Sequence, residues 1–306
     1  MESRSSIWAL GWLLFFTLVV GENGVVANSS NSKSDRSRDC KFPAIFNFGD
    51  SHSDTGTTSA AFDSLGAPRG MSFPGLPGRA CDGRLIIDFI GNNPPIQNNL
   101  PEPKVFSEAL YTIDIGSNDQ LDNLSISKNM NRFSNFVQRL LRGGAKYLWI
   151  HNIGPASCTP SGHNICKNKP GCVLDQNGCD IKSSKSIQEF NKQLKDTVYK
   201  LRAQYPDAVI TYVDIYSAKH RLIVNAKNYG FTDPFKFCCG NEFRTCGAVD
   251  FNGELLVNAC NDPQKYISWD GLHYSQAANQ IVAKFVVNGS FSDPPVPVAK
   301  ACHKQY

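Results

Sequence analysis

The chain has 306 residues, of which 41% are hydrophobic, and its 31 basic and 27 acidic side chains give a formal net charge of +4. This length suffices for one large domain or two small ones. Because Lys and Arg are scattered along the chain rather than clustered, the mild positive charge does not indicate a nucleic-acid partner.

The first 27 residues have the organisation of a secretory signal peptide. Arg4 precedes an apolar stretch at 7–20, and the small residues at 25–27 predict a cleavage site. A membrane anchor is the alternative, but this stretch is short for a span and no second stretch long enough to span follows. We therefore expect residues 1–27 to be removed and residues 28–306 to form a single secreted domain without stable membrane insertion.

Three Asn-x-Ser sequences begin at Asn28, Asn123 and Asn288. They are predicted glycosylation acceptors, and such acceptors suit surface loops of a protein in the secretory pathway. Together with the leader, they predict an extracellular location.

Short apolar runs of strand type alternate with segments of helical periodicity. The strands are predicted at 44–48, 110–115, 147–150 and 208–213. Helices are predicted at 57–65, 82–90, 133–141, 187–201, 218–228 and 277–285. This alternation indicates one α/β domain with a parallel sheet, and neither an internal repeat nor an interdomain linker interrupts it.

The 11 cysteines all lie beyond the leader, at positions 40, 81, 158, 166, 172, 179, 238, 239, 246, 260 and 302. In a secreted chain they indicate disulfides. Zinc is the competing interpretation, but no pair has the Cys-x-x-Cys spacing, and the adjacent Cys238 and Cys239 suit ligation poorly. The odd count leaves at least one cysteine unpaired or linked between chains.

Ser51 is the candidate nucleophile because it follows the first predicted strand directly, in the turn Gly49-Asp50-Ser51. A serine just beyond the carboxyl end of a buried parallel strand lies where open α/β sheets bind their ligands. Its hydroxyl is a weak nucleophile until a base takes its proton. A plain turn, with Asp50 as turn former, is the alternative.

His273 is the candidate base, since Asp270 precedes it by three residues on a loop that leads into the last predicted helix. This spacing can place the carboxylate on one imidazole nitrogen and leave the other to face a serine. Asn118 ends the second strong strand and would emerge at the same sheet edge as Ser51, where its amide could donate to an oxyanion. The alternatives are a helix-capping Asp-x-x-His and an ordinary Asx-turn.

Three blocks, at 49–56 (GDSHSDTG), 116–119 (GSND) and 269–274 (WDGLHY), resemble the plant GDSL esterase/lipase family, part of the SGNH hydrolases. The resemblance implies a three-layer α/β/α, flavodoxin-like fold with a parallel sheet. It also implies a secreted carboxylesterase or lipase with a Ser51, His273 and Asp270 triad, and with Asn118 and the Ser51 N–H as oxyanion donors.

The same resemblance implies acetyl or fatty-acyl ester substrates, either small molecules or esters linked to polysaccharide, and a location in the apoplast or cell wall. Cys81 stands where the family often has serine, so we expect it to be the unpaired cysteine. The family commonly has Asn at the position of His52, and the pattern around His151 suggests a structural loop residue. Since the sequence has no metal or nucleotide motif, we predict no cofactor and no metal.

The resemblance has a gap at 91–108. Relatives usually carry several tens more residues there, including a strand and a glycine whose N–H is an oxyanion donor, and this chain has no equivalent. We therefore expect the sheet to lack its edge second strand, so that the strand before Ser51 becomes the new edge. Loss of one oxyanion donor typically lowers turnover by about 10²–10³. The alternative function is thus a catalytically impaired or inactive secreted protein that binds cell wall or glycans.

Overall fold

One sheet of six strands, paired in chain order, forms the centre of the protein. The structure is a computed structural model that describes residues 15–20, 39–61, 66–73, 78–91, 102–118, 126–241 and 243–304. The strands are β1 (Phe15–Val20), β2 (Ala44–Gly49), β3 (Leu110–Asp114), β4 (Tyr147–His151), β5 (Val209–Val213) and β6 (Ser292–Asp293). Strands β2 to β5 are parallel, and β1 and β6 pair antiparallel at the two edges.

Helices connect the parallel strands and cover both faces of the sheet. They are α1 (Thr57–Ala61), α2 (Ile86–Ile90), α3 (Pro103–Glu108), α4 (Ile126–Arg142), α5 (Pro160–Lys167), α6 (Ile181–Gln204), α7 (Ile215–Val224) and α8 (Gln276–Val287). No helix among the described residues is both long and apolar enough to cross a bilayer.

Strand side chains alternate between two hydrophobic cores, one on each face of the sheet. In β4, Trp149 packs on one face with α2, α7 and α8, whereas Leu148 and Ile150 pack on the other face with α4 and α6. Because successive side chains of β4 point to opposite faces of the sheet and both faces are covered, β4 is buried on both sides, as is typical of a central parallel strand. The predicted α/β fold with three layers is confirmed.

The helix α4 is longer than the range 133–141 that its apolar periodicity predicted. The apolar residues that predicted it, from Phe133 to Leu141, pack on the sheet as expected, but α4 begins seven residues earlier, at Ile126. By contrast, α2 is shorter than the helix predicted at 82–90 and begins at Ile86. The Asp88 carboxylate accepts from Leu85 N at 2.8 Å, and this hydrogen bond defines the first turn of α2. Of the helix predicted at 57–65, residues 57–61 are helical and 62–65 lie outside the described residues.

The expected sheet edge is different in the structure. The strand before Ser51, β2, is not an edge, because β1 pairs antiparallel with it from Phe15↔Gly49 to Val20↔Ala44. The expectation that β2 becomes the edge is therefore wrong for this structure. Unpaired N–H and C=O groups of a strand accept any extended segment within reach, and backbone pairing requires no particular sequence. The parallel part of the described sheet has four strands, in agreement with the predicted loss of one.

Five disulfides join ten of the 11 cysteines, all of which lie in the described residues. They are Cys40–Cys302, Cys158–Cys179, Cys166–Cys172, Cys238–Cys260 and Cys239–Cys246. Cys81 is the remaining cysteine, unpaired and buried, as expected from the sequence. The three groups of potential metal ligands found among the described residues each contain two disulfide-bonded cysteines, whose sulfurs are not available as thiolates.

Candidate active site

The turn that carries Ser51 is fixed by its own backbone and side chains. Asp50 Oδ1 accepts from His52 N at 2.9 Å, and Asp50 O accepts from Ser53 N at 3.0 Å. A Cβ at Gly49 would lie 1.7 Å from Ser53 Oγ and 3.2 Å from Asp114 O, so a side chain there would have to displace the Ser53 hydroxyl. The chain therefore turns sharply at the end of β2 and leaves Ser51 half-buried at the carboxyl edge of the sheet.

Ser51, His273 and Asp270 form a continuous chain of hydrogen bonds. His273 Nε2 lies 2.8 Å from Ser51 Oγ, and His273 Nδ1 lies 2.8 Å from Asp270 Oδ2. The second carboxylate oxygen accepts from the backbone N–H of His273 at 2.8 Å and of Leu272 at 3.1 Å. Asp270 thus holds both the ring and the backbone of His273. The loop reverses at Gly271, whose φ of 96° favours glycine.

The Asp270 carboxylate is stabilised in its ionised form. Burial alone would raise its pKa, but the hydrogen bond and the charge of His273, together with the two backbone N–H groups, hold the pKa of Asp270 below its ordinary value. An ionised Asp270 requires the proton on Nδ1 of His273, which leaves Nε2 free to accept from Ser51.

The His273 loop is anchored to the chain segment that precedes α2. Asp82 Oδ1 accepts from Gln276 N at 2.7 Å and so caps the start of α8, and Gln276 Oε1 accepts from Arg84 N at 2.9 Å. The hydroxyl oxygen of the cap residue Ser275 accepts from Ala278 N at 3.2 Å. These contacts give the block around Asp82 a positioning role toward the His273 loop.

A narrow open cleft lies beside Ser51. Asn118 lines it, as predicted from its place after β3, and its side chain is exposed there. Pro155, Ala156 and Leu272 supply an apolar wall. The structure thus brings together the hydroxyl, the imidazole and the carboxamide that the sequence singled out.

The remaining predicted site residues are placed only in part. Asn288 is exposed at the end of α8, where a glycan could be attached, although its Oδ1 accepts from Ser290 N at 2.8 Å. Asn28 and Asn123 lie outside the described residues. Glycosylation at all three positions remains a prediction.

Buried charges lie beneath the cleft. Burial and the negative charge of Asp114 raise the pKa of Asp50 to about 6. Burial opposes ionisation of Asp114 as well, but the imidazole of His151, with Nδ1 3.7 Å from Asp114 Oδ2, and the ammonium of Lys219 lower its pKa to about 2. His151 is buried, and its interpretation as a structural loop residue stays a prediction.

His52 is next to the triad but is unsuited to be its base. Its ring meets the His273 ring edge-on, with 5.1 Å between centroids. Burial, together with the charges of Lys219 and His273, lowers the pKa of His52 to about 3. A neutral His52 places no positive charge beside the His273 imidazole.

Lys219 is the cleft residue that the sequence analysis missed. It lines the cleft with only 5% of its surface exposed, and its Nζ lies 4.8 Å from the centroid of the Tyr274 ring. A signal was present in the sequence, because Lys219 falls on the apolar face of α7 with Ile215 and Leu222, both of which are buried. A lysine on the buried face of a helix is unusual unless the structure provides a partner for its charge.

Comparison with known proteins finds one matching family model and related plant proteins. The family model described as GDSL-like lipase/acylhydrolase matches residues 45–286. The chain is 35% identical over 361 aligned positions to the GDSL esterase/lipase ACHE of Zea mays, with 87% of this chain and 90% of that protein covered. It is 33% identical to an alpha-L-fucosidase 3 of Arabidopsis thaliana, with 90% and 96% covered. It is 32% identical to an esterase of Hevea brasiliensis, with 88% and 91% covered.

The lengths of these alignments bear on the predicted gap. The 361 positions aligned with the Zea mays protein exceed the 306 residues of this chain. The relative therefore contains residues that have no counterpart here, in agreement with a shortened chain.

Proposed function

Because the chain belongs to the GDSL-like lipase/acylhydrolase family, we propose that it is a secreted serine ester hydrolase that cleaves acetyl or fatty-acyl esters with Ser51, His273 and Asp270. The observation that carries the proposal is the unbroken series of two 2.8 Å contacts from Ser51 Oγ through the His273 ring to Asp270. Names of relatives such as the esterase of Hevea brasiliensis support an ester substrate.

The proposed reaction has two displacements. Ser51 Oγ attacks the ester carbonyl while His273 Nε2 takes the hydroxyl proton, and a tetrahedral oxyanion forms. The Asn118 amide and the Ser51 N–H donate to this oxyanion. The carbon–oxygen bond to the alcohol breaks, and His273 returns the proton to the leaving alcohol. Water, deprotonated by His273, then attacks the acyl-enzyme and releases the acid and the free serine.

The second carboxylate oxygen of Asp270 supports this cycle. It is held by backbone N–H groups and cannot rotate away without losing two hydrogen bonds. Asp270 therefore fixes the tautomer of His273 before the reaction and stabilises the imidazolium during it.

Hydrolysis of p-nitrophenyl acetate by the purified protein tests the proposal. We expect Ser51→Ala to lower kcat by at least about 10³, because no other activated hydroxyl faces His273 Nε2 among the described residues. The matched control is Ser107→Ala on α3, whose hydroxyl donates to Lys104 O and does not line the cleft. Equal rates in the wild-type protein and Ser51→Ala would remove Ser51 from the mechanism.

A second candidate function is a catalytically impaired protein that binds glycans or the cell wall. The sequence favours it at one point, since the glycine that supplies an oxyanion N–H in relatives has no equivalent at 91–108. Labelling with a fluorophosphonate separates the two functions. The active enzyme is labelled at Ser51, whereas a protein with an inactive site is not labelled and does not hydrolyse p-nitrophenyl acetate above background.

A further inference from the structure

Asn47 is the one polar residue in the apolar run at 44–48 that precedes the nucleophile turn. It lies within β2, between Phe46 and Phe48, and only 2% of its surface is exposed. Burying an amide is unfavourable unless its polar atoms find hydrogen-bond partners. An asparagine at a position where the neighbouring residues are apolar therefore points to a use for its two polar atoms.

Both polar atoms of the Asn47 side chain are occupied. Nδ2 donates to Ser53 O at 3.0 Å, and Oδ1 accepts from Thr112 Oγ1 at 2.8 Å. The amide cannot be turned over, because its oxygen would then face the Ser53 carbonyl oxygen, and two acceptors have no proton to share. A leucine has nearly the same shape as asparagine and can make neither contact.

The contact with Ser53 closes a ring across the nucleophile turn. Asn47 lies four positions before Ser51, and Ser53 lies two positions after it. Inside this ring, Ser53 N donates to Asp50 O at 3.0 Å. Ser51 thus lies on a short loop whose two flanks are joined by the Asn47 amide, and the loop cannot widen without breaking that hydrogen bond.

The contact with Thr112 links the ring to the neighbouring strand. Thr112 is the partner of Asn47 in the parallel register of β2 and β3, and its side chain is 1% exposed. Strand β3 ends at Asp114, and Asn118 lines the cleft four residues later. The Asn47 amide therefore connects the flank of the Ser51 turn to the strand that leads to the proposed oxyanion donor.

We propose that Asn47 is a positioning residue that sets the place of Ser51 Oγ relative to His273 Nε2 and Asn118, by holding Ser53 on one side and Thr112 on the other. The inference rests on the proposed ester hydrolysis and deepens it. Asn47 does not line the cleft, so its loss should leave substrate binding nearly unchanged. The loss should lower the rate of acylation, because a misplacement of about 1 Å in a reacting group can cost about 10²-fold.

The test measures two quantities with a fluorophosphonate: the rate constant for labelling of Ser51 and the fraction labelled at completion. We expect Asn47→Leu to lower the labelling rate constant, and kcat for p-nitrophenyl acetate, by about 10–10²-fold. The final labelled fraction should match that of wild type, and KM should stay within about twofold. A residue that only stabilises the fold would instead lower the final fraction and leave the rate constant of the labelled molecules unchanged, and that result overturns the proposal.

A gentler pair of variants keeps the test decisive if Asn47→Leu does not fold. Thr112→Val removes the donor that orients the Asn47 amide and should lower both rates by about 3–10-fold, whereas Thr112→Ser keeps the hydroxyl and should stay near wild type. The matched control is Thr211→Val, since Thr211 is equally buried on β5 and its hydroxyl has no hydrogen-bond partner among the described residues.

The possible failures can be told apart. Rates in Thr112→Val that equal those of Thr211→Val overturn the role of Asn47, while hydrolysis that depends on Ser51 still stands. If the wild-type protein is not labelled at Ser51, and Ser51→Ala leaves its hydrolysis intact, the proposed function and the role of Asn47 both fall.

Discussion

Nε2 of His273 lies 2.8 Å from Oγ of Ser51, although 222 positions separate the two residues in the chain. One side of this contact depends on the turn after β2, and the other depends on a loop whose following helix is capped by Asp82. The contact therefore requires the early and the late parts of the domain to pack together. Ester hydrolysis at Ser51 should be lost as soon as the His273 loop detaches from the sheet edge.

Asp270→Asn should lower kcat by about 10³–10⁴ with little change in KM, because an amide at this position favours the wrong tautomer of His273. Steady-state kinetics with p-nitrophenyl acetate measure the effect. Asp262→Asn is the matched control, since the Asp262 carboxylate is partly exposed and, within the described residues, pairs with Lys265 alone, at 3.3 Å. A kcat within threefold of the wild-type value contradicts the orienting role of Asp270.

Asn118→Ala should lower kcat by about 10²–10³ and leave KM nearly unchanged, because the amide donor acts on charge that develops only in the transition state. Asn118→Asp should be at least as damaging, since it replaces the donor with a negative charge. Asn225→Ala, which removes an exposed amide at the end of α7, is the control. If Asn118→Ala instead raises KM by a similar factor and leaves kcat unaltered, Asn118 contributes to substrate binding in the ground state.

Asp50→Asn should become more stable relative to wild type as the pH rises from 4 to 7.5. The unfolded chain releases this proton near pH 3.8 and the folded protein only near pH 6, so the favourable contribution of protonated Asp50 is complete below about pH 4 and is lost as the pH rises through 6. The variant keeps an acceptor for His52 N and has no proton to lose. The difference in free energy of unfolding, variant minus wild type, should therefore rise by up to about 3 kcal/mol between pH 4 and pH 7.5.

Denaturant unfolding at several pH values measures this difference. Asp207→Asn, which changes a fully exposed carboxylate, is the control and should follow the wild-type curve. Parallel pH dependences of Asp50→Asn and wild type contradict the buried, proton-retaining carboxyl.

Cys81 should resist alkylation in the folded protein. Its side chain is fully buried, its thiol donates to Gly83 O, and burial raises the pKa of Cys81 far above its ordinary value. Mass spectrometry after iodoacetamide treatment at pH 8 should show no adduct on the native protein. Without reductant, the unfolded protein should show a single adduct, at Cys81. Adducts at another cysteine in that sample would contradict the disulfide assignment.

N-terminal sequencing of the protein recovered from the medium of secreting cells should begin at Asn28. The physical reason is the length of the apolar stretch at 7–20, which is too short for a stable span and is followed by small residues. Because β1 lies within the predicted leader, processing at this site would remove it and leave the backbone groups of β2 free on that side. Recovery of a chain that begins at Met1 contradicts the signal-peptide prediction.

Local pattern was enough to predict the parallel strands and the positions of Ser51 and Asn118 after their carboxyl ends. The run at 44–48 before Ser51 is apolar except at Asn47, and such a run has few alternatives to a strand buried on both faces. The block around His273 could be linked to Ser51 only by resemblance, since nothing in spacing alone joins residues so far apart. The mutual geometry of the Ser51, His273 and Asp270 side chains became visible only in the folded structure.

Two features could not be predicted from local pattern. The pairing of β1 with β2 depends on backbone groups, which every sequence carries, so it leaves no signature in side-chain periodicity. The place of Lys219 depends on the absence of a side chain at Gly154, on another loop, and on carboxylates at the ends of β2 and β3. Such a coincidence of distant segments is visible only in three dimensions.

The disulfide between Cys40 and Cys302 brings the two ends of the folded domain within 5.7 Å between Cα atoms, and Cys40 N also donates to Ala299 O at 2.8 Å. From Cys40 to Cys302 the polypeptide is thus a closed ring. Unravelling cannot start from a loose terminus, and a pull applied to both tails is borne by the sulfur–sulfur bond and not by the strands that present Ser51.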